Sequence, residues 1–204
     1  MKSLLLLIGT ILILSSCGPK VDETYRRQIA ADRMKENDEF LNPVTSPLDS
    51  TELLSFKGLR YFPVDEAYKV MAKIERFHNQ DTFALPHSHE RTKTYRKFGK
   101  ISFSLKDKNH ELILLESAHK KPGFENYILL CFKDETSGKT TYGAGRYIDL
   151  IIPEKDEIEV DFNKAYNPYC AYSERFTCPI PPKENTLNIA VEAGVKYENG
   201  EIEH

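Results

Sequence analysis

Apolar residues change their spacing along this 204-residue chain. Between 21 and 41 they recur at helical intervals, as in Tyr25, Ile29 and Met34, which predicts an amphipathic N-terminal helix. From about 59 onward apolar and polar positions alternate, which predicts strands because successive side chains of a strand point to opposite faces. The segments in which this alternation predicts strands are 68–74, 82–85, 92–98, 101–105, 112–114, 127–132, 147–152, 157–162 and 187–191.

This pattern predicts a mainly β fold. Turn-forming clusters at Lys106–Asn109, Lys121–Gly123 and Glu135–Gly138 separate strand candidates at intervals typical of hairpins. About seven to nine short strands without helices between them indicate an antiparallel sandwich or a partly closed barrel, preceded by the N-terminal helix. We therefore expect a single domain over 21–204, with its β part over about 59–195.

The chain begins with the pattern of a secretory signal peptide. Lys2 provides a positive start, and the apolar run Leu4–Leu14 that follows is too short to span a bilayer. The run ends shortly before Cys17, in a sequence that resembles the lipobox of bacterial lipoproteins. We therefore expect a signal peptide over 1–16 and a lipidated N-terminus with a short linker over 17–20.

Lipidation of Cys17 would make the membrane the first partner of this protein. Two or more acyl chains anchor a protein stably, whereas one chain binds only marginally. Gly18 follows the cysteine, in place of the aspartate that retains many lipoproteins at the inner membrane. The expected location is thus the bacterial cell envelope, at the outer membrane, where a small molecule or another envelope protein would be the further partner.

Composition excludes several classes of function. Hydrophobic residues make up 40% of the chain and the net charge is −3, with no basic patch interleaved with aromatic residues, so nucleic acid is not an expected partner. The sequence lacks a phosphate-binding glycine loop, a dinucleotide fingerprint and a nucleophile elbow. His87 and His89 have no third ligand at a convincing spacing, so neither a metal nor another cofactor is expected.

The segment 161–185 is the most distinctive part of the sequence. Its four prolines exclude a regular helix or a central strand. An ordered irregular segment must satisfy its own backbone groups, and such segments frequently carry binding sites. Cys170 and Cys178 lie within it, and they could form a disulfide in an oxidising compartment or remain two buried thiols.

Arg146 is predicted to face the core, because it shares one row of a strand with Ile148. A buried arginine requires a carboxylate or several carbonyl groups as partners. Asp134, Asp161 and Glu184 are the candidate carboxylates, and the alternation of the strands favours Asp134 or Glu184.

Several polar side chains of this region could surround a cleft covered by the irregular segment. Amides, tyrosines and one arginine suit recognition, and no nucleophile has an adjacent base, so a non-enzymatic binding protein is favoured. One alternative is a hydrolase or lyase that uses Asp161 or Glu184 as general acid or base while Arg146 holds an anionic substrate. Another is a purely structural envelope protein. The candidate binding residues are Arg146, Asp161, Asn163, Asn167, Tyr172, Glu184 and Asn185.

Several segments of the chain form a combination found in one protein family. They are Ser46–Leu48, Phe56–Leu59, Tyr95–Phe103, Asp134–Gly138, Thr141–Tyr147, Asp161–Tyr172 and Cys178–Asn185. Together they resemble DUF1684, a bacterial and archaeal family of unknown function, over nearly all of the chain after the predicted linker. The resemblance implies that Arg146, the two cysteines of the irregular segment and most of its candidate polar residues are family positions, but it implies no mechanism. It also leaves free thiols or a metal as alternatives to a disulfide.

Overall fold

The computed structural model describes residues 22–78 and 80–197, so the predicted signal peptide and Cys17 lie outside the described residues. The described part has two α-helices and seven β-strands. Their bounds are α1 Glu23–Leu41, α2 Ser50–Ser55, β1 Lys69–Arg76, β2 Phe83–Pro86, β3 Thr92–Leu105, β4 Lys108–Ser117, β5 Tyr127–Phe132, β6 Arg146–Ile151 and β7 Glu157–Asp161.

The seven strands form one antiparallel sheet in the order β6-β5-β4-β3-β1-β7, with β2 paired to β3. The sheet is nearly closed into a barrel, which confirms the predicted fold class. Past the end of β7 the chain reaches the opposite edge strand, where the backbones of Tyr147 and Tyr166 exchange hydrogen bonds of 2.9 and 3.0 Å. The irregular segment therefore closes the gap between the two edge strands.

Two apolar clusters lie on opposite faces of the sheet. The larger one fills the barrel with inward rows such as Ile101 and Phe103 of β3 and Leu112 and Leu114 of β4. The smaller one lies on the outer face. Cys178 packs against this outer cluster, so the irregular segment covers part of the sheet that would otherwise face solvent. The strand β5 is almost entirely buried because both of its faces are covered.

Three of the predicted strand segments differ from the strands observed. Segments 92–98 and 101–105 belong to one long strand, which changes register at Gly99. A Cβ atom at Gly99 would lie 2.7 Å from the carbonyl oxygen of Glu75, so only glycine fits this close approach. The segment 187–191 is not a strand. Its alternate residues are buried as predicted, but a bend interrupts it, and alternation indicates burial without indicating a hydrogen-bonded ladder.

The helix α1 begins where its first backbone donors are capped. The side chain of Asp22 accepts hydrogen bonds from the backbone N–H groups of Thr24 and Tyr25. Ile29 and Phe40 are buried side chains of this helix. Asp49 caps α2 in the same way. No helix in the described ranges is long and apolar enough to cross a membrane.

Candidate functional site

The candidate binding residues do not converge on one cleft. The structure distributes them over separate hydrogen-bonded networks, most of which are buried. The partners of a polar side chain decide whether it remains available to a ligand.

Arg146 is sealed inside the barrel, with 1% of its surface exposed. Its Nη2 atom donates to Oδ2 of Asp134 at 2.7 Å and to the carbonyl oxygen of Val191 at 2.8 Å, and Nη1 donates to the carbonyl oxygen of Ala193. Burial lowers the pKa of Arg146, and the charge of Asp134 opposes this effect. Asp134 is one of the two carboxylates that the strand alternation favours as the partner of Arg146.

The carboxylate of Asp134 is fully used within this network. Its Oδ1 atom accepts hydrogen bonds from the backbone N–H and the hydroxyl group of Thr136. Gly145, next to Arg146, has a φ of +108°, and a Cβ atom there would lie 2.6 Å from the carbonyl oxygen of Phe132. The chain is therefore packed tightly around the arginine. No substrate can reach Arg146, which removes the anion-binding role that the hydrolase or lyase interpretation required.

Asp161 and Asn163 attach the helix α1 to the barrel. Both carboxylate oxygens of Asp161 lie 2.9 Å from the hydroxyl of Tyr25, which donates to them, and the backbone N–H of Asn163 donates to Oδ1 at 3.0 Å. The side-chain amide of Asn163 exchanges hydrogen bonds with the backbone of Asp65. Burial raises the pKa of Tyr25, with a further increase from Asp161. Neither residue has Arg146 as a partner.

Asn185 fills a gap in the sheet. The strands β4 and β5 pair only at Leu115 and Leu129. The side chain of Asn185, which is completely buried, accepts from the N–H of Ile113 at 2.7 Å. It donates to the carbonyl oxygens of Ile113 and Cys131 at 2.9 and 2.8 Å. It thus replaces the missing bonds between the two strands.

Glu184, its neighbour in sequence, points to solvent instead. Its Oε1 atom lies 2.9 Å from Nζ of Lys97, and 55% of its side chain is exposed. Backbone hydrogen bonding and Lys97 lower the pKa of Glu184. The prediction that Glu184 could pair with Arg146 is therefore wrong, because the 3₁₀ turn 183–185 directs it outward while Asn185 points inward.

Asn167 and Tyr172 hold the irregular segment against the end of the described chain. The amide nitrogen of Asn167 donates to the Tyr172 hydroxyl at 3.0 Å and to the carbonyl oxygen of Lys196 at 3.2 Å. The ring of Tyr172 packs edge-on against Phe40, with 4.9 Å between the ring centroids. Tyr172 also borders a cavity of about 610 Å³ next to α2. One wall of that cavity ends at Tyr197, the last described residue, and we assign no ligand to it.

The middle of the irregular segment lines an open groove against α1 and β6. This groove has a volume of about 450 Å³. A smaller cavity of about 280 Å³ adjoins it along α1 and shares Glu36 and Asp149 with it. We call the larger one the aromatic groove. Its lining residues are Glu36, Glu39, Phe40, Tyr147, Asp149, Lys164, Tyr166, Pro168, Tyr169, Phe176, Thr177 and Cys178.

Carboxylates dominate the charge of the aromatic groove. Oδ1 of Asp149 accepts hydrogen bonds from the hydroxyls of Tyr127 and Tyr166 at 2.7 and 2.6 Å. Oε2 of Glu36 accepts one from Tyr61 at 2.8 Å. Burial raises the pKa of Glu36, and the hydrogen bond from Tyr61 and the charge of Arg33 partly oppose this effect. The groove is therefore acidic.

The two cysteines of the irregular segment are thiols in this structure, and no disulfide joins them. Cys170 and Cys178 lie close enough for each thiol to shift the pKa of the other. Cys131 is buried in β5, and burial raises its pKa to about 12. No cluster of three or more potential metal ligands occurs within residues 22–78 and 80–197. His87 is buried, whereas His89 is exposed.

Sequence reasoning missed the acidic residues of this groove. Glu36 and Glu39 lie on a helix far from the irregular segment in sequence, and Asp149 has the outward orientation of a polar residue on β6. Tyr127 and Tyr166, which donate to Asp149, are 22 and 17 positions away from it, so they gave no local signal. Nothing in the sequence indicated which strand face the helix would cover.

Comparisons with known proteins identify relatives without assigning a function. The model of a family described as "Protein of unknown function (DUF1684)" matches residues 54–196. The chain is also similar to an uncharacterised protein from gene locus rrnAC0354 of Haloarcula marismortui, whose structure was determined by solution NMR. The identity is 33%, the match covers 87% of this chain and 97% of that chain, and the TM-score is 0.68. No curated protein matches.

Proposed function

The chain belongs to the DUF1684 family of proteins of unknown function, and we propose that it is a lipid-anchored envelope protein that binds a small organic cation in the aromatic groove. The observation that carries this proposal is the combination of aromatic rings and carboxylates around one open groove. Amines and quaternary ammonium ions are the ligands that such a combination suits.

Aromatic rings form much of the wall. Tyr169 packs edge-on against Phe40 and Phe176, with centroid distances of 5.6 and 5.1 Å. Tyr147 and Tyr166 form another edge-on pair at 5.9 Å. The face of an aromatic ring carries negative partial charge and attracts a cation by about 0.5–2 kcal/mol, with larger values where water is excluded.

The charges around the groove favour the same ligand. Glu36, Glu39 and Asp149 are acidic lining residues, and Lys164 is the one basic residue among those lining the groove in the described part of the chain. Nζ of Lys164 lies 3.3 Å from the carboxylate of Asp32, so this charge is already paired. A cation bound beside Glu36 would stabilise its charged form and so oppose the effect of burial, which raises its pKa.

The walls of the groove are fixed in advance. Tyr25 and Asp161 hold α1 at one end, and the hydroxyl of Tyr166 ties the irregular segment to Asp149 of β6. A preformed site loses less conformational entropy on binding than one that must become ordered. Binding therefore requires no rearrangement of the sheet.

Choline and its uncharged carbon analogue, 3,3-dimethyl-1-butanol, test the proposal because they share a shape and differ in charge. We expect choline to shift the NMR resonances of the groove at millimolar concentration, and the alcohol to bind about tenfold more weakly. Glu36→Gln and Tyr169→Ala should each weaken choline binding, while Glu184→Gln, outside the groove, should leave it unchanged. Equal binding of both compounds, or no binding of choline, would refute the charge-based proposal.

The pH dependence provides a second test. Because the pKa of Glu36 is raised, its carboxylate takes up a proton at a higher pH than an ordinary glutamate does. Choline should bind most tightly above that pKa and lose affinity as the pH falls through it. The Glu36→Gln variant should lack this part of the pH dependence while still folding, which far-UV circular dichroism would verify.

The anchoring part of the proposal is supported by the apolar run Leu4–Leu14 and by Cys17, three positions beyond its end. Radiolabelled palmitate supplied to bacteria that produce the full chain should be incorporated into the protein. Cys17→Ser should abolish the label and move the protein out of the membrane fraction. An unlabelled wild-type protein, or a variant that still sediments with membranes, would contradict lipid anchoring at this residue.

A further inference from the structure

Cys170 and Cys178 are brought together by separate supports. The backbone N–H of Cys178 donates to Oγ of Ser88 at 3.1 Å, and its carbonyl oxygen accepts from the N–H of Ser88 at 2.9 Å. Cys170 lies in the 3₁₀ turn 169–171. The loop between them is held by Arg175, which donates to the carbonyl oxygen of Pro47 at 2.9 Å. The thiols meet because both ends of the loop are fixed.

The surroundings distinguish the two thiols. The neighbouring Cys178 thiol, and then the hydroxyls of Ser88 and Tyr142, lower the pKa of Cys170 to about 7 despite burial. The hydrogen bond to Cys170 and burial raise the pKa of Cys178. The titratable groups that act on the two thiols are Tyr142 from the turn before β6, Tyr147 from β6, Tyr95 and Lys93 from β3, and each thiol on the other.

Both residues are partly exposed, in contrast to Cys131. Cys178 also lines the aromatic groove, which gives small molecules a path to the pair. With only two sulfur ligands and no further clustered ligand in the described ranges, the pair does not form a closed four-ligand metal site. Two adjacent, accessible thiols with different acidity are the arrangement that thiol–disulfide exchange requires.

We propose that Cys170 and Cys178 form a redox-active dithiol that exchanges with low-molecular-weight disulfides, with Cys170 as the attacking group and Cys178 as the resolving group. The Cys170 thiolate attacks one sulfur of the external disulfide, forms a mixed disulfide and releases one thiolate. Deprotonated Cys178 then attacks the Cys170 sulfur, closes the internal disulfide and releases the second thiolate. The protein dithiol is oxidised by two electrons and the external disulfide is reduced to two thiols. This activity does not depend on cation binding.

Oxidised glutathione is the probe for this reaction, used on the reduced full chain with peptide mapping by mass spectrometry. In the wild type we expect a disulfide between Cys170 and Cys178, and a glutathione adduct on Cys170 in samples quenched early. Cys178→Ser should retain that adduct. Cys170→Ser should react at least about tenfold more slowly at pH 7, because its remaining thiol is mostly protonated. Cys131→Ala, the matched control, should behave as the wild type.

The pH dependence of the first step gives an independent readout. The rate of adduct formation in Cys178→Ser should rise with pH and level off nearer neutrality than that of an unperturbed thiol. Early adducts on Cys178, equal rates in the two serine variants, or a folded wild type that never closes the internal disulfide would each overturn the proposal. If a serine variant fails to fold, the order of adducts in the early wild-type samples still decides it.

Discussion

The two ends of the segment 161–185 differ from its middle in how their polar groups are used. At the ends, Asp161, Asn163 and Asn185 are buried and bond to the barrel or to α1. In the middle, partly exposed side chains line the aromatic groove. The difference teaches that a polar residue in a distinctive motif is available to a ligand only if its hydrogen bonds are not already made within the protein.

Disrupting the buried pair of Arg146 and Asp134 should have the largest effect on stability. Arg146→Met would leave Asp134 buried without its ion partner, and we expect a loss of about 3–5 kcal/mol in the free energy of unfolding. Chemical denaturation followed by circular dichroism measures this loss. The control is the double variant Arg146→Met with Asp134→Asn, which should recover part of the stability because no unpaired charge remains. A loss below about 1 kcal/mol would mean that water reaches the pair.

The next largest effect should follow from Asn185→Ala. This variant removes the partners of the N–H and C=O groups of Ile113 and of the carbonyl oxygen of Cys131. We expect a loss of about 2–3 kcal/mol, since buried backbone groups would lose their partners. Hydrogen exchange should show faster exchange at the Ile113 amide in particular. Unchanged protection there would show that the two strands can pair without the side chain.

A smaller effect should come from Tyr25→Phe, which tests whether the buried contact between α1 and Asp161 is needed for ligand binding in the groove. The variant keeps the ring and removes the donor to the Asp161 carboxylate, so we expect a loss of about 1.5 kcal/mol. Because α1 forms one wall of the groove, choline binding should weaken as well. Tyr61→Phe is the comparison, since it removes a donor from Glu36 itself and should also alter choline binding, but without loosening the end of α1 at Tyr25. If Tyr25→Phe binds choline as tightly as the wild type, the groove does not depend on the buried contact between Tyr25 and Asp161.

Alternation along the chain predicted most of this barrel because it reports which side of a strand is buried. The same rule placed Arg146 inside and favoured Asp134 or Glu184 as its partner, of which Asp134 is the one observed. It could not predict that Asp161 bonds to Tyr25, because these residues are separated by 136 positions and meet only after α1 has packed. The aromatic groove depends on the same packing, so its acidic residues carried no local signal.

The smallest expected effect belongs to Glu184→Gln, one position from Asn185. The carboxylate of Glu184 is mostly exposed and pairs with Lys97 at 2.9 Å, and such pairs contribute at most about 0.5–1 kcal/mol. The pKa of Glu184 is lowered in the folded state, so its contribution is present above the ordinary pKa of glutamate and disappears as the pH falls through the folded value. Wild type and variant should thus differ slightly at neutral pH and not in strong acid, as measured by urea denaturation. A neutral-pH loss as large as that of Asn185→Ala would mean that membership of the motif, and not burial with complete hydrogen bonding, governs the contribution of each residue.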